Sequence, residues 1–484
     1  MSNRNIVLAA LLSLWLGLTA IAPSAYGKGI LEILRDKGVI SAEDYQQAIE
    51  EAQGKQKEVV QEAKTEAKQE ALAEAKKQTK LPDWLSRVSL FGDVRYRHEG
   101  FYHSALQTNN PTRNRERIRA RFGLGVDVSE ELYGKLRLVT GDPNDPISTN
   151  QTLSELFTRK PISLDWAYIT VAPWKTFGLD KVFGSDKPMF ALTAGKFPLP
   201  MFLPGGGSEL VFDGDLSPEG VTEALTLWDR SSGLLRNVKV TGMQWSIKEI
   251  NNKSATQLFD PTDAWMFGGQ LAVQFAPTDA SRLSFSIADY GFQKPDVIAR
   301  ERNSNSALAI TNNVRRFNGA ISGGAPVSPT SCSSPFTAPG CIHGFLGGFN
   351  ILNVGAQLDL PTPWKEWPLT FFFDFARNTD AATDDKNGYW LGFKIGQVAN
   401  RGDLRFTYTW AHTETDAVLS IFSYSDFGKS GGTNVEGNIF SLEYVLLPHL
   451  TLIGKEHLVN FINRPVGFHN PTQSRVQLDA VLSF

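Results

Sequence analysis

From Val88 onward, apolar and polar residues alternate with a period of two, the spacing that places successive side chains on opposite faces of a β-strand. Val88, Leu90, Val94 and Tyr96 fall on one face, and Arg87, Asp93, Arg95, Arg97 and Glu99 on the other. In the next run Ile118, Ala120, Phe122, Leu124 and Val126 oppose Arg117, Arg119, Arg121, Gly123, Gly125 and Asp127. Leu132, Leu136 and Leu138 then oppose Tyr133, Lys135 and Arg137. The pattern returns in 267–275, 369–375, 389–395 and 404–410. Strands this long with one polar face belong to an antiparallel sheet with water on one side and an apolar medium on the other. Tight links at 129–130, 277–281, 400–402 and 448–449 mostly alternate with long polar ones near 99–114, 142–161, 292–348, 414–433 and 463–473. Outer-membrane barrels alternate short periplasmic turns and long external loops in this way. The predicted fold is all-β, a transmembrane antiparallel up-and-down β-barrel of about 16 strands over 83–484. The region 199–263 is poorly patterned, and 173–188 and 223–233 are long where short turns are needed.

Residues 28–82 are predicted to be helical. Ile30, Leu31, Ile33 and Leu34 form a small apolar patch, Ser41 is a suitable N-cap, and Glu43 and Asp44 follow in the first turn. From 50 to 80 the chain is mainly Ala, Glu, Lys and Gln, which leaves little to bury. This segment reads as a spacer, a plug or a weak coiled coil seamed by Ala63, Ala67 and Ala71. Ahead of it, Arg4, the apolar stretch from Ile6 to Ile21 and the small-residue site Ala25-Tyr26-Gly27 form a signal-peptide pattern, with cleavage expected between Gly27 and Lys28. After its removal no apolar run reaches the roughly 20 residues of a spanning helix, a length that barrel strands do not need. The helical segment is expected in the periplasm and the barrel in the outer membrane.

Composition adds limits. A net charge of −3 over 484 residues argues against a general nucleic-acid binder, and 11% aromatic residues suit a chain that is apolar outside and wet inside. Cys332 and Cys341 lie in one Gly-, Ser- and Pro-rich stretch, which in an exported chain predicts a local disulfide. Only His343 stands near them as a further soft ligand, so no metal site is expected. Asp142, Asn144 and Asp145, and separately Asp213, Asp215 and Glu219, lack the spacing of a calcium loop. No H-E-x-x-H, G-x-S-x-G, phosphate-loop or C-x-x-C motif occurs, so neither an enzyme nor a cofactor is predicted.

Several motifs in order resemble the Gram-negative "putative porin" family. They are Gly92-Asp93-Val94-Arg95-Tyr96-Arg97, Arg115 to Gly123, Leu136 to Gly141, Ser148 to Leu153 and Leu164-Asp165-Trp166-Ala167-Tyr168-Ile169. Thr193-Ala194-Gly195-Lys196, Phe212 to Gly220 and the helical start Leu34 to Glu43 add to them. The resemblance implies a channel-forming barrel and names no solute. In the last strand Val476, Leu478, Ala480, Leu482 and Phe484 alternate; resemblance to outer-membrane proteins generally makes this the signal read by the barrel-assembly machinery.

The candidate site is electrostatic. Arg95, Arg97, Arg117, Arg119, Arg121, Lys135 and Arg137 share the polar faces of three successive strands, which predicts a basic lumenal wall. Asp93, Asp213, Asp215 and Glu219, and a more distant wall with Asp374, Asp403, Glu443 and Asp479, are the acidic candidates. Opposed walls would set up a transverse field; the competing reading is that structural ladders neutralise the arginines. The 57-residue stretch 292–348 is a candidate constriction, lid or protomer contact. The expected function is passive diffusion of small hydrophilic solutes or ions with an anion preference, the partners being outer-membrane lipid, the assembly machinery and, in a homotrimer, copies of the chain. The alternative is a structural tether or surface adhesin that uses the helix and the loops.

Overall fold

The computed structural model describes residues 86–102, 112–183, 187–250, 263–301, 312–317, 341–427, 432–464 and 472–484. The chain divides into two units, Met1–Asp83 and Trp84–Phe484, and the described residues all belong to the second. The expected signal segment with Gly27 and Lys28, the helical segment 28–82 and Cys332 lie outside the described residues.

Sixteen strands form a closed antiparallel barrel. They are β1 (Val88–Tyr102), β2 (Thr112–Ser129), β3 (Leu132–Thr140), β4 (Ile162–Val171), β5 (Phe190–Lys196), β6 (Glu219–Asp229), β7 (Leu235–Lys248) and β8 (Ala264–Phe275). Then come β9 (Arg282–Gln293), β10 (Phe349–Leu360), β11 (Leu369–Asn378), β12 (Asn387–Gly396), β13 (Leu404–Thr413), β14 (Val435–Leu447), β15 (Leu450–Phe461) and β16 (Gln473–Ser483). Each strand pairs with its sequence neighbours, and β1 also pairs with β16, from Asp93 opposite Ser483 to Tyr102 opposite Ser474. Closure is what hydrocarbon demands, because no water is there to satisfy an open edge. A two-residue strand, Gln151–Thr152, lies against β2, and Arg315–Phe317 pairs with Ile342–Phe345 as a separate small sheet.

The predicted alternation sorts side chains as expected on β1, β2 and β16. Leu90, Val94, Phe122, Leu478 and Leu482 face outward and are exposed, whereas Arg95, Arg97, Arg117, Arg475 and Asp479 are buried inside. The links at one end are short, at 130–131, 230–234, 276–281, 361–368, 397–403 and 448–449. The exception at that end, 172–189, carries the short helix Leu179–Phe183. The other troublesome stretch, 223–233, resolves into strand as far as Asp229 and a turn.

The poorly patterned region has a physical cause. The link between β5 and β6 turns back into the barrel, so the strands it touches carry apolar side chains on both faces, buried against the link inside and exposed outside. Phe197, Leu210, Phe212 and Leu216 of that link join Met243 and Trp245 of β7, Met266 of β8, Tyr290 of β9 and Phe372 of β11 in one core. Phe212 meets Trp245 and Tyr290 edge-on, with centroids 5.5 and 5.1 Å apart. Inward apolar residues of this kind erase a period of two.

Phe484 continues the seam beyond β16. Its N–H donates to the Gly92 carbonyl and its own carbonyl accepts from Gly92 N–H, both at 3.0 Å. A Cβ on Gly92 would collide with the Arg121 carbonyl and come within 2.8 Å of the Phe484 ring. Deleting Phe484 is expected to remove about 1–3 kcal/mol of backbone hydrogen bonding at the closure point. The yield of heat-modifiable barrel after refolding in detergent should fall, and an unchanged yield would show that the seam does not depend on it.

Candidate functional site

Cross-strand register gathers the arginines on one inner surface. Asp93 lies opposite Arg121, Arg95 opposite Arg119 and Arg97 opposite Arg117, with Asp479 of β16 opposite Arg97 on its other side. Like charges so close require counter-charges, and the wall supplies most of them itself. Arg97 Nε and Nη2 donate to the two oxygens of Asp479 at 2.7 and 2.8 Å, a bidentate pair. Arg119 Nε and Arg121 Nε donate to Asp93 at 2.9 and 2.5 Å. Arg137 Nε donates to Asp165 at 2.6 Å, and the same guanidinium lies 3.3 Å from the Trp166 ring centroid. Arg475 Nε donates to Glu99 at 2.9 Å, Arg115 also pairs with Glu99, and Arg117 stands 3.9 Å from it. Arg95 donates to Asn150 and lies 3.7 Å from Asp479. Lys135 Nζ sits 5.6 Å from the Phe91 ring centroid.

Two links complete the lattice from the lumen side. Asp215, in the link between β5 and β6, lies 3.7 Å from Arg121 and accepts from Thr149 Oγ1 at 2.9 Å. Asp426, in the link between β13 and β14, accepts from Arg475 Nη2 at 2.6 Å and Arg97 Nη1 at 3.1 Å. The links also hold each other: Asp213 N–H donates to the Phe422 carbonyl, and Ser425 N–H to an Asp213 carboxylate oxygen at 2.8 Å.

The loop between β5 and β6 is pinned to the opposite wall. Phe202 N–H donates to Gln270 at 2.7 Å, Gly205 N–H to Gln357 at 2.9 Å and Ser208 Oγ to Asp374 at 2.6 Å. Lys394 Nζ donates to the Gly205 carbonyl. Gly205 has φ +67°, and any Cβ there would meet the Phe372 ring at 2.8 Å. A glycine is thus needed both for the turn and for the approach.

These placements correct the picture of opposed basic and acidic walls. Asp93 and Asp479 lie within the arginine wall, and Asp215 reaches it from a loop. Asp213 and Asp374 tether loops instead. Glu219 pairs with Lys196 at 2.9 Å, and Glu443 holds Arg405 at 2.7 and 2.9 Å. Asp403 caps the turn before β13, accepting from Ala399 and Asn400 N–H at 2.9 and 2.8 Å. The described part of 292–348 is not the segment that contacts the arginines. Its helix Pro295–Glu301 enters the core through Ile298 and Ala299, and Asn313 clasps the Thr415 and Val418 carbonyls. Asp142 and Asp145 accept from N–H groups two residues on, as turn residues do. Cys341 is fully buried, and no free cysteine occurs among the described residues. Among the described residues no His, Cys, Asp or Glu group is arranged to hold a metal ion.

Arg475 and Asp165 were within reach of sequence reasoning. Arg475 shares the polar face of β16 with Gln477 and Asp479. Asp165 stands in β4, where a register shift hides the alternation. Asp426 carries no local signal.

The loop carboxylates differ in their ease of ionisation. Burial opposes ionisation of Asp426, but Arg475 and Arg97 outweigh it and hold the group well below the usual carboxylate range. At Asp215, too, burial opposes ionisation, but Arg119 and Arg121 outweigh it and lower the group. Burial, then the charges of Glu209 and Asp215, raise Asp213 well above that range. Burial pushes Glu209 up to about 7, with Asp426 and Asp215 adding repulsion and Lys455 and Gly214 N–H opposing. A carboxyl raised by folding stabilises the folded form below its ordinary range, and that contribution is lost as pH rises through the folded value. The loop seat should therefore loosen between pH 6 and pH 8. Open-channel current noise is expected to be greater at pH 8, and Glu209→Gln to flatten this dependence. Retention of the full pH dependence in that variant would exclude Glu209 as its origin.

The family model described as "Putative porin" matches residues 46–114 and 103–456. No curated protein matches the chain. Among solved structures the chain is similar to Pseudomonas putida OprB at high pH, with 13% identity, a TM-score of 0.49 and coverage of 84% of this chain and 97% of that one. It is also similar to the Salmonella typhi OmpF complex with daunomycin, with 9% identity, a TM-score of 0.44 and coverage of 82% and 97%. For Vibrio cholerae OmpT, folded in vitro in its trimer form, the values are 8%, 0.42, 82% and 99%. The sequence match spans most of the chain, and on that ground the protein belongs to the "putative porin" family of outer-membrane channels.

Proposed function

We propose that this porin is a passive diffusion channel for small hydrophilic solutes with a preference for anions, and that it has no catalytic role. The observation that carries the reading is the charge balance of the inner wall. Eight arginines (Arg95, Arg97, Arg115, Arg117, Arg119, Arg121, Arg137 and Arg475) meet six carboxylates (Asp93, Glu99, Asp165, Asp215, Asp426 and Asp479). The Nε atoms of Arg95 and Arg117 are buried without a hydrogen-bond partner among the described residues. Guanidinium stays protonated at any working pH, so the excess does not titrate away. Screening limits its reach to about 8–10 Å at physiological salt. The wall therefore acts only where the lumen is narrow, and the inward loop 197–218 lies at the height of that wall through Asp215.

The rest of the reading follows the exported state. Cys332 and Cys341 form a disulfide, the short links face the periplasm with residues 28–82, and Val476 to Phe484 serve as the insertion signal. Assembly as a homotrimer in outer-membrane lipid belongs to the same reading.

Two measurements test it. The refolded protein should give stepwise conductance in planar bilayers. Replacing Arg117, Arg119 and Arg121 with Gln should shift the reversal potential in a salt gradient toward cations, most strongly at low salt. A folded barrel without conductance would overturn the channel, and an unmoved reversal potential in a triple variant that still folds to a heat-modifiable barrel would overturn the selectivity.

A further inference from the structure

A second group of cations stands apart from the arginine wall, at the end of the barrel with short links. Arg236 and Lys239 of β7 and Arg282 of β9 border a cavity of about 490 Å³, with Arg230 of the β6–β7 turn at its edge. Residues Pro200 to Phe202 of the inward loop bound it on another side. The Arg236 side chain is only 8% exposed. Its Nη2 lies 3.3 Å from Asp279, but Nε and Nη1 are buried without a hydrogen-bond partner among the described residues. Leaving such donors unmet costs free energy that a ligand can recover. Lys239 makes no ion pair with any described residue. Arg230 stacks on Trp228 at 4.1 Å, and Arg282 donates to the backbone carbonyls of Asp279 and Ser281 at 2.9 and 2.8 Å, so neither is paired with a carboxylate. The carboxylates nearby are Asp279, fully exposed, and Asp229, which is engaged by Lys187 at 2.8 Å.

We propose that this cavity is a binding site for small oxyanions, carboxylates or phosphates, lying in the permeation path on the side of the inward loop away from the arginine lattice. The proposal rests on the channel reading above. An anion seated there would meet Lys239 of the same strand as a point charge, and a rotation of the Arg236 side chain would bring its unpaired Nε and Nη1 donors to it. Gln270 stands in the same lining but is committed to the backbone of Phe202 through both ends of its amide. The cavity wall and the loop are therefore fixed to each other, so the site needs the Arg236 side chain to turn and does not depend on loop movement. A solute leaving the arginine wall would find a further group of cations here, which makes the site a relay for anions and an obstacle to cations.

The test is block of chloride current by inorganic phosphate, and separately by succinate, added to the side carrying the short links. The wild-type channel should show saturable block by at least one of the two. Lys239→Gln removes a charge that holds no structural pair, and is expected to raise the half-blocking concentration about tenfold, the effect of losing one charge-assisted contact. Asp279→Asn releases Arg236 and should lower it. Arg405→Gln, on the far wall, should leave it unchanged. A channel that conducts chloride normally but shows no saturable block by either anion, or one whose block is the same in Lys239→Gln, would overturn the site while leaving the channel reading intact. Absence of any conductance would count against the channel itself.

Discussion

A guanidinium cannot face hydrocarbon. On a barrel exterior an arginine at the bilayer midplane costs about 2–4 kcal/mol, and β2 alone carries Arg117, Arg119 and Arg121 at alternate positions. That constraint fixes which face of β2 turns inward, and antiparallel register then carries the choice to β1 and β3 on either side. Once those faces are set, Leu90, Phe122 and Leu478 must meet lipid, and the sheet must close because an open edge has no partner there.

The same constraint creates the electrostatic problem that the interior solves. Arginines brought together by register repel one another, so acids must be found within hydrogen-bonding distance. Asp93, Glu99, Asp165 and Asp479 come from the strands themselves, but the strands do not supply enough. Asp215 and Asp426 arrive on links that fold into the barrel, and each link is held there partly by the cations it neutralises. The narrowing of the lumen is thus a consequence of charge neutralisation as much as of apolar packing. Removing one partner from such a buried set is expected to be strongly destabilising, because it strands the other charge.

Legibility in the sequence followed the environment of each strand. Where one face meets water and the other lipid, as in β1, β2 and β16, a period of two exposes strand, face and charge together. Where the inner face packs on the inward loop, Met243, Trp245 and Met266 stand at positions that the simple rule reserves for polar residues. The region around them could be counted but not read. The opposed acidic wall failed for a related reason: Asp374 and Glu443 do point inward, but their neighbours claim them, Ser208 and Asn353 for one and Arg405 for the other. Asp426 reaches Arg97 across 329 positions of sequence from a link without periodicity, and no local pattern could announce it.

The central claim is that the arginine face of β2 borders the aqueous path. Single cysteines placed in turn at Arg117, Ile118, Arg119, Ala120, Arg121 and Phe122, each exposed to a charged thiol reagent during bilayer recording, test it most directly. Modification should change the single-channel current at 117, 119 and 121 and leave it unchanged at 118, 120 and 122. Equal effects on both sets, or effects confined to the even positions, would contradict the account.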